Sequence, residues 1–600
     1  MKRYLMIFAA LLLVVCVAMP ALAAVEFKYG GQFRTRFIVS NNTVDYTGTE
    51  DFSTLFWATT TNPRDPNFKT FNVDNPLIRL NVPNRPAQLI SARDVLNAEH
   101  TGDTFAPNMQ VRPNNNSRTD DHQNFIDERV RLYFTFIASE NLKLVTKLEM
   151  GDARWGGDNA AGAGIGRVGA DSVSIEVKNM YIDFNIPGSP VNFLVGTQGI
   201  ALLNSWIIDD DFSAAVMKVK LDPVTVTAGY IGAVNADVTN ERGNVDDGFL
   251  SVDVAQGPLK ASLIGFYQNG HNTLVSIDPQ TMFSPVGAGS QVFSGNGNFL
   301  SATPNGFSVD SKSGFGTANW FGTGKRVTAR SNNLYDLAFN VTFKMDFMSA
   351  YLNAAKNLGN ADLVIWNANN TVGQIQSAQY KGWMVDAGTN LYFGPLTAKV
   401  GGFYTSGAKM VQDTDPALRN NAAFQQLVNN PNIVNFGKIV DPRGDINWYV
   451  NPLGQAANFQ SEIIGGGVTE NREGNVVSNN FWRGYPYFTN VWTLTAGASY
   501  QCLEQTKFAA SYWYWATSQK VAAGYDLSVP GQIKTVFSSD LGHEFNVSLT
   551  QGITDGLTLD LVGAYLIAGD ALVVNLPVPG QKRINDDDAY ELAMRLQWNF

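Results

Sequence analysis

Residues 590–600 read YELAMRLQWNF. Tyr590, Leu592, Met594, Leu596, Trp598 and Phe600 hold one parity, and Glu591, Ala593, Arg595, Gln597 and Asn599 hold the other. Successive side chains of a strand point to opposite faces, so this segment is a strand with an apolar face and a polar face. A sheet on a soluble core contains such strands too. What separates the two cases is how many similar strands the chain holds and how they are joined.

The N-terminus bears on compartment. Lys2 and Arg3 precede an apolar run from Leu5 to Val17, and Ala21-Leu22-Ala23 supplies small residues at a cleavage position, so residues 1–23 read as a secretory signal peptide and 24–600 as the mature chain. Cys16 falls inside the signal, which leaves Cys502 alone and excludes an intramolecular disulfide. The signal holds two of the 43 basic residues and none of the 53 acidic ones; the mature chain therefore has 41 against 53, a formal charge of −12. That balance excludes nucleic acid as a partner. Beyond the signal no apolar run approaches the ~20 residues of a membrane helix. A chain with 12% aromatic residues and no such helix still enters a bilayer if its strands close into a barrel, where all backbone groups are paired and only alternate side chains are apolar.

Strands of that kind recur. In Glu26 to Val39, Phe27, Tyr29, Phe33, Phe37 and Val39 share one parity, and Glu26, Lys28, Gln32, Arg34 and Arg36 the other. Val130, Leu132, Phe134 and Phe136 alternate with Arg129, Arg131, Tyr133 and Thr135; after a turn at Ala138 to Asn141, Leu142, Leu144, Leu148 and Met150 alternate with Lys143, Val145, Lys147 and Glu149. Val173 to Ile186 changes parity near Asn179, as a bulge would make it. Short connections with turn residues, such as Pro187-Gly188-Ser189-Pro190, Asp222-Pro223, Gly394-Pro395 and Thr554-Asp555-Gly556, alternate with long polar ones, of which 40–124, 270–330 and 407–487 are the longest. Eight short turns and nine long loops join eighteen strands, with sixteen as the alternative count. The expected fold is all-β: a transmembrane antiparallel up-and-down barrel with short periplasmic turns and long extracellular loops. No repeat of fixed period argues for a solenoid or propeller.

The terminal YELAMRLQWNF resembles the C-terminal signature of bacterial outer-membrane barrels, which implies that Trp598 and Phe600 act as a signal to the barrel-insertion machinery. With RVRLYFTFIASENLKLVTKLEMGD and KNMYIDFNIPGSPVNFLVGTQG, the chain resembles the large trimeric bacterial porins. The resemblance implies residence in the outer membrane among lipid and lipopolysaccharide, a homotrimer, and a water-filled channel for passive diffusion of small hydrophilic solutes and ions. It also implies a third long loop folded into the lumen. By strand count this is Ile200 to Asp211, in which Leu202, Leu203, Trp206, Ile207 and Ile208 would pin the loop to the wall and Asp209, Asp210 and Asp211 would stand at its exit. The alternative is a solvated turn between strand ends.

The wet faces of the first three strands carry Arg34, Arg36, Arg129, Arg131, Lys143 and Lys147, with Glu149 among them. A symmetric turn at 138–141 would put Arg131 opposite Lys147 and Arg129 opposite Glu149. Such a wall either favours anions mildly or is a mixed polar surface that keeps the lumen wet. Catalysis has little basis: His100, His122, His271 and His543 have no Ser or Asp spacing that suggests a nucleophile and its base. No metal or cofactor is expected, since Asp586-Asp587-Asp588 lacks the spacing of a calcium loop. A second reading of function is a barrel-anchored surface protein whose long loops bind a partner.

Overall fold

The structure, a computed structural model, describes residues 25–41, 123–156, 175–234, 245–271, 325–366, 372–407, 447, 449–451, 461–467, 489–526, 534–571 and 588–600, with a few isolated strand segments elsewhere. Residues 1–23, expected to be a signal peptide, and most of the three longest loops lie outside the described residues.

Eighteen strands form the wall: β1 Glu26–Asn41, β2 Gln123–Ser139, β3 Leu142–Trp155, β4 Ile175–Asn185, β5 Val191–Leu202 and β6 Ile208–Leu221; β7 Val224–Val234, β8 Val245–Gln256, β9 Leu259–His271, β10 Lys325–Lys344, β11 Met348–Trp366 and β12 Trp383–Phe393; β13 Leu396–Thr405, β14 Val491–Leu503, β15 Thr506–Asp526, β16 Lys534–Thr554, β17 Leu557–Ala568 and β18 Ala589–Asn599. Each pairs antiparallel with its neighbours in sequence, and β1 pairs with β18 from Gln32↔Asn599 to Asn41↔Tyr590, which closes the barrel. The count is eighteen, not sixteen. All eight turns at one end are short, from 140–141 to 555–556. At the other end two connections are shorter than expected: the eighth spans residues 527–533, and the third shrinks to residues 203–207, because β5 and β6 stay paired with each other up to Leu202↔Ile208.

The alternation of the terminal segment sorts its side chains as expected. Leu592, Met594 and Trp598 are exposed on the outside, whereas Glu591 and Ala593 are buried inside. The same outward parity exposes Phe27, Tyr29, Leu250, Leu337, Leu494, Phe545 and Leu561 on strands all round the barrel. An apolar exterior of this extent is stable only against lipid, so the barrel is a transmembrane one. Aromatics mark its edges. Trp492 and Tyr500 sit eight residues apart on the outer face of β14, about 20 Å along the membrane normal at ~3.3 Å per residue and ~40° tilt, close to the ~25 Å apolar band of such barrels.

Two irregularities decide which side chains face inward. The β4–β3 register shifts between Val177 and Asn179, so the change of parity in this segment is a bulge. The β2–β3 register shifts between Ile137 and Ser139, and this corrects the expected charge pairing. Arg131 stands opposite Glu149, Tyr133 opposite Lys147 and Arg129 opposite Gly151, because the chain turns over residues 140–141, further along than the expected turn at 138–141, and the one extra residue beside it sets the ladder only one place back.

The closing seam depends on small residues. Gly31 exchanges backbone hydrogen bonds with Phe600, the Gly31 N–H donating at 2.9 Å and the Phe600 N–H at 3.0 Å. The Phe600 ring lies over Gly31, where an added Cβ would meet Phe600 Cζ at 2.4 Å and the Arg131 carbonyl oxygen at 2.7 Å. Gly31→Ala is expected to weaken the seam by about 1–3 kcal/mol of overpacking strain. The check is the temperature at which the refolded barrel loses its fast gel migration, which falls in the variant.

Candidate functional site

The β5–β6 hairpin leaves the wall. The β4–β5 ladder ends at Met180↔Thr197 and the β6–β7 ladder ends at Ala214↔Ile231, but β5 and β6 stay paired with each other up to Leu202↔Ile208. Residues 198–213 are thus a hairpin that shares no backbone ladder with any other strand of the wall. Its tip turns through Leu203, Asn204 and Ser205, all with positive φ (55°, 50° and 70°). Three successive left-handed residues are a costly conformation; here they aim the next residue, Trp206, at the far wall.

Trp206 is 1% exposed. Its indole N–H donates to Asp386 Oδ2 on β12 at 2.9 Å, and its ring packs edge-on against Phe403 of β13 at 4.9 Å between centroids. Asp386 is fixed in turn by Asn353 Nδ2 at 3.0 Å and Tyr351 O–H at 3.1 Å, both on β11. Asn204 Nδ2 adds a bond to Asn353 Oδ1 at 3.1 Å. The hairpin therefore spans the lumen from β5–β6 to β11–β13. Ile200, Leu202, Ile208 and Phe212 are buried on one of its faces, and Ile200 and Leu202 line a cavity of about 330 Å³ with Phe249 and Ile264.

Its other face looks toward β1–β4. Asp209 pairs with Ala201 and Asp211 with Gly199, so the three aspartates belong to β6 and not to a loop. Asp211 accepts from Asn179 Nδ2 at 3.2 Å and lies 3.8 Å from Lys178 Nζ. Lys178 also lies 2.8 Å from Glu176 and 3.7 Å from Glu149. Asp210, opposite Ile200, belongs to the first face; it is exposed, and its Oδ1 accepts from the Asp211 N–H at 2.8 Å.

Opposite this face the wall carries charge in horizontal rows. In one, Asp560, Arg595, Arg36 and Asp127 stand side by side on β17, β18, β1 and β2. Arg595 bonds Asp560 Oδ2 through Nη2 at 2.9 Å and Nε at 3.1 Å, and Arg36 Nε donates to Asp127 Oδ1 at 2.9 Å. In the next row Arg34 faces Arg129 directly. In the third, Gln32, Arg131 and Glu149 are neighbours, and Arg131 Nε meets Glu149 Oε2 at 2.5 Å. Two aspartates flank a pair of adjacent arginines, which offsets the repulsion that like charges in register produce. Arg34, Arg36 and Arg129 are almost inaccessible, at 1%, 6% and 5% exposure. Arg131, Lys147 and Lys178 are partly exposed to the lumen. Lys143 stands apart at the turn end of β3, 4.0 Å from Asp183.

The sequence placed these cations by parity but left out Lys178, which the bulge beside Asn179 turns inward. It also left out the far anchor of the hairpin. Tyr449 O–H donates to the Trp206 carbonyl oxygen at 3.0 Å, from a long polar loop in which Tyr449-Val450 is an apolar island.

No protein-family model and no curated protein matches the sequence. Among solved structures the chain is similar to Pseudomonas aeruginosa OccK8 (OprE), with 8% identity over 96% of this chain and 98% of that one and a TM-score of 0.40. It is similar also to Pseudomonas aeruginosa OpdQ (9% identity, 96% and 98% covered, TM-score 0.38) and Acinetobacter baumannii OccAB3 (7%, 96% and 99%, 0.39). A closed antiparallel barrel with an even number of strands and an apolar belt is the architecture of bacterial outer-membrane proteins, and this chain has it.

Trp206→Ala removes both the indole donor and the Phe403 contact. Truncating a buried aromatic costs about 3–5 kcal/mol, here taken from the docking of the hairpin tip, since the ladders below Thr197 and Ala214 are untouched. The expected outcome is a barrel with normal gel migration whose single-channel conductance is larger and noisier than that of the wild type.

Proposed function

We propose that this chain is an outer-membrane porin that passes small hydrophilic solutes and ions down their gradients with a mild preference for anions. The observation that carries the reading is the arginine-rich wall of β18–β3 standing across the lumen from a hairpin pinned by Trp206. The barrel replaces hydrocarbon with water, the hairpin narrows the water, and the wall charges bias which ions enter the narrow part. The roles divide by exposure. Arg131, Lys147 and Lys178 meet the solute, Arg34, Arg36 and Arg129 contribute field from behind them, and Lys143 acts at the turn-end mouth. Glu149 holds Arg131 and tempers the local charge, while Asp209, Asp210 and Asp211 form the acidic side of the constriction. Trp598 and Phe600 serve as the insertion signal, and three barrels assemble into a trimer. The mechanism needs no cofactor and no chemical step.

The preference arises from a local field, because the chain as a whole is acidic. Fields in a constriction act over about a Debye length, ~10 Å at 0.1 M salt and ~3 Å at 1 M. The test is the conductance and reversal potential of refolded protein in a planar bilayer across a KCl gradient. Openings in groups of three, with a reversal potential on the anion side that shrinks between 0.1 M and 1 M salt, are expected. Lys147→Glu is expected to move that potential toward the cation side with little change in gel migration. A folded barrel that never conducts would remove the channel reading and leave the loops as binders of an external partner.

A further inference from the structure

Two stretches of the connection between β13 and β14 lie inside the barrel. Tyr449 and Val450 are 0% and 1% exposed, and Ile463 and Ile464 are 1% and 0% exposed. The wall holds both stretches through side chains. On β11, Asn357 takes both backbone groups of Val450: the Val450 N–H donates to Oδ1 at 2.7 Å, and Nδ2 donates to the Val450 carbonyl oxygen at 3.0 Å. On β16, Glu544 accepts from Ser461 Oγ at 2.5 Å and from the N–H groups of Ile463 and Ile464 at 2.8 and 3.1 Å. A turn closed by Gly465 N–H and Gly467 N–H on the Ser461 carbonyl oxygen shapes the second stretch. Tyr449 ties the first stretch to the hairpin tip.

The wall behind these stretches differs from the arginine wall in sign. On β8–β16, away from the turn ends, the inward charged side chains among the described residues are Asp247, Asp336, Asp386 and Glu544 against Lys399. Asp336 lies next to the first clip, accepting from Asn357 Nδ2 at 2.5 Å, and Glu544 is itself the second clip. Carboxylates on a wet lumen wall attract cations, as arginines attract anions.

We propose that the stretches 449–451 and 461–467 are a selectivity plug. Clipped down by Asn357 and Glu544, they cover the acidic side of the lumen and confine solutes to the arginine wall; released, they open a second route that prefers cations. The plug rests on the channel reading given above. It makes Asn357 and Glu544 positioning residues, because each acts on solutes through the segment it holds. Neither clip is part of a backbone ladder bond, so losing both loosens the plug and leaves the pairing of β10–β11 and β15–β16 intact. Among the bonds that remain are those of the Tyr449 N–H to the Ser406 carbonyl oxygen, of Thr489 Oγ1 to the Tyr449 carbonyl oxygen and of the Glu462 N–H to Asn546 Oδ1, which the linker variant removes with the segment.

The experiment compares wild type with Asn357→Ala/Glu544→Gln in planar bilayers across a KCl gradient, with gel migration as the check on folding. A second variant replaces residues 447–467 by a short Gly-Ser linker, so that a folding defect in the clip variant does not prevent the comparison. The expected result is a higher conductance together with a reversal potential shifted toward the cation side in the folded variants. A higher conductance with an unchanged or more anionic reversal potential overturns the plug as a selectivity element, and so does an unchanged conductance in both folded variants. Silence of the folded wild type and of both variants overturns the channel reading and the plug together, whereas a conducting wild type with unchanged variants overturns the plug alone.

Discussion

In hydrocarbon no water is available to an unpaired backbone group, so a sheet that enters the membrane must close on itself. Here closure is one ladder, β1 on β18, and its lower end is the exchange of hydrogen bonds between Gly31 and Phe600. The other features follow from that ladder. Closure fixes which parity faces lipid on every strand, because a slip by one residue would turn Phe27, Tyr29 and Phe37 inward and Arg34 and Arg36 into the bilayer. It also creates an interior, and an eighteen-stranded interior is too wide for wall side chains to fill. What fills part of it has to come from the connections.

The molecule meets that need from two directions. The β5–β6 hairpin gives up its bonds to β4 and β7 over residues 198–213 and crosses the lumen, while the stretches around Tyr449 and Ile463 come down from the connection between β13 and β14. The hairpin and the Tyr449 stretch meet at Trp206, bonded to Asp386 of the wall through its side chain and to Tyr449 through its backbone. Phe403 and Trp515 complete the aromatic contact, with ring centroids 5.7 Å apart. The hairpin tip and the Tyr449 stretch are thus one connected structure, and a change at Trp206 reaches both.

The period-two pattern made most of the wall legible in sequence, since alternation survives any local sequence and turn residues mark the short ends. The bulge near Asn179 was legible for the same reason: a break in parity has few other causes. The register beside Ser139 was not, because one extra residue next to a tight turn leaves the alternation of both strands intact while shifting their pairing. The hairpin was located by counting strands, yet its departure from the wall left no mark. Residues 198–213 alternate like any strand pair, and which neighbour they pair with is decided by the whole barrel. Tyr449-Val450 and Ile463-Ile464 left a weaker sign, two apolar pairs within a long polar loop, with nothing local to say which wall would receive them.

Which wall receives them follows from desolvation. Covering a wall strips water from its side chains, and a charge so covered must find partners or cost several kcal/mol. The β18–β4 wall carries Arg595, Arg36, Arg34, Arg129 and Arg131 within three rows, a density that no short apolar stretch could satisfy. The β10–β16 wall offers instead isolated polar groups with fixed geometry, such as Asn357 for both backbone groups of Val450 and Glu544 for a cluster of donors. It also offers apolar surface, in Phe403 and Trp515, for the aromatic tip of the hairpin. The apolar parts of the connections therefore settle where the wall offers fixed hydrogen-bonding partners, while Arg131 and Lys147 of the other wall stay partly exposed. The segregation that decides where the connections pack also decides which wall they leave uncovered.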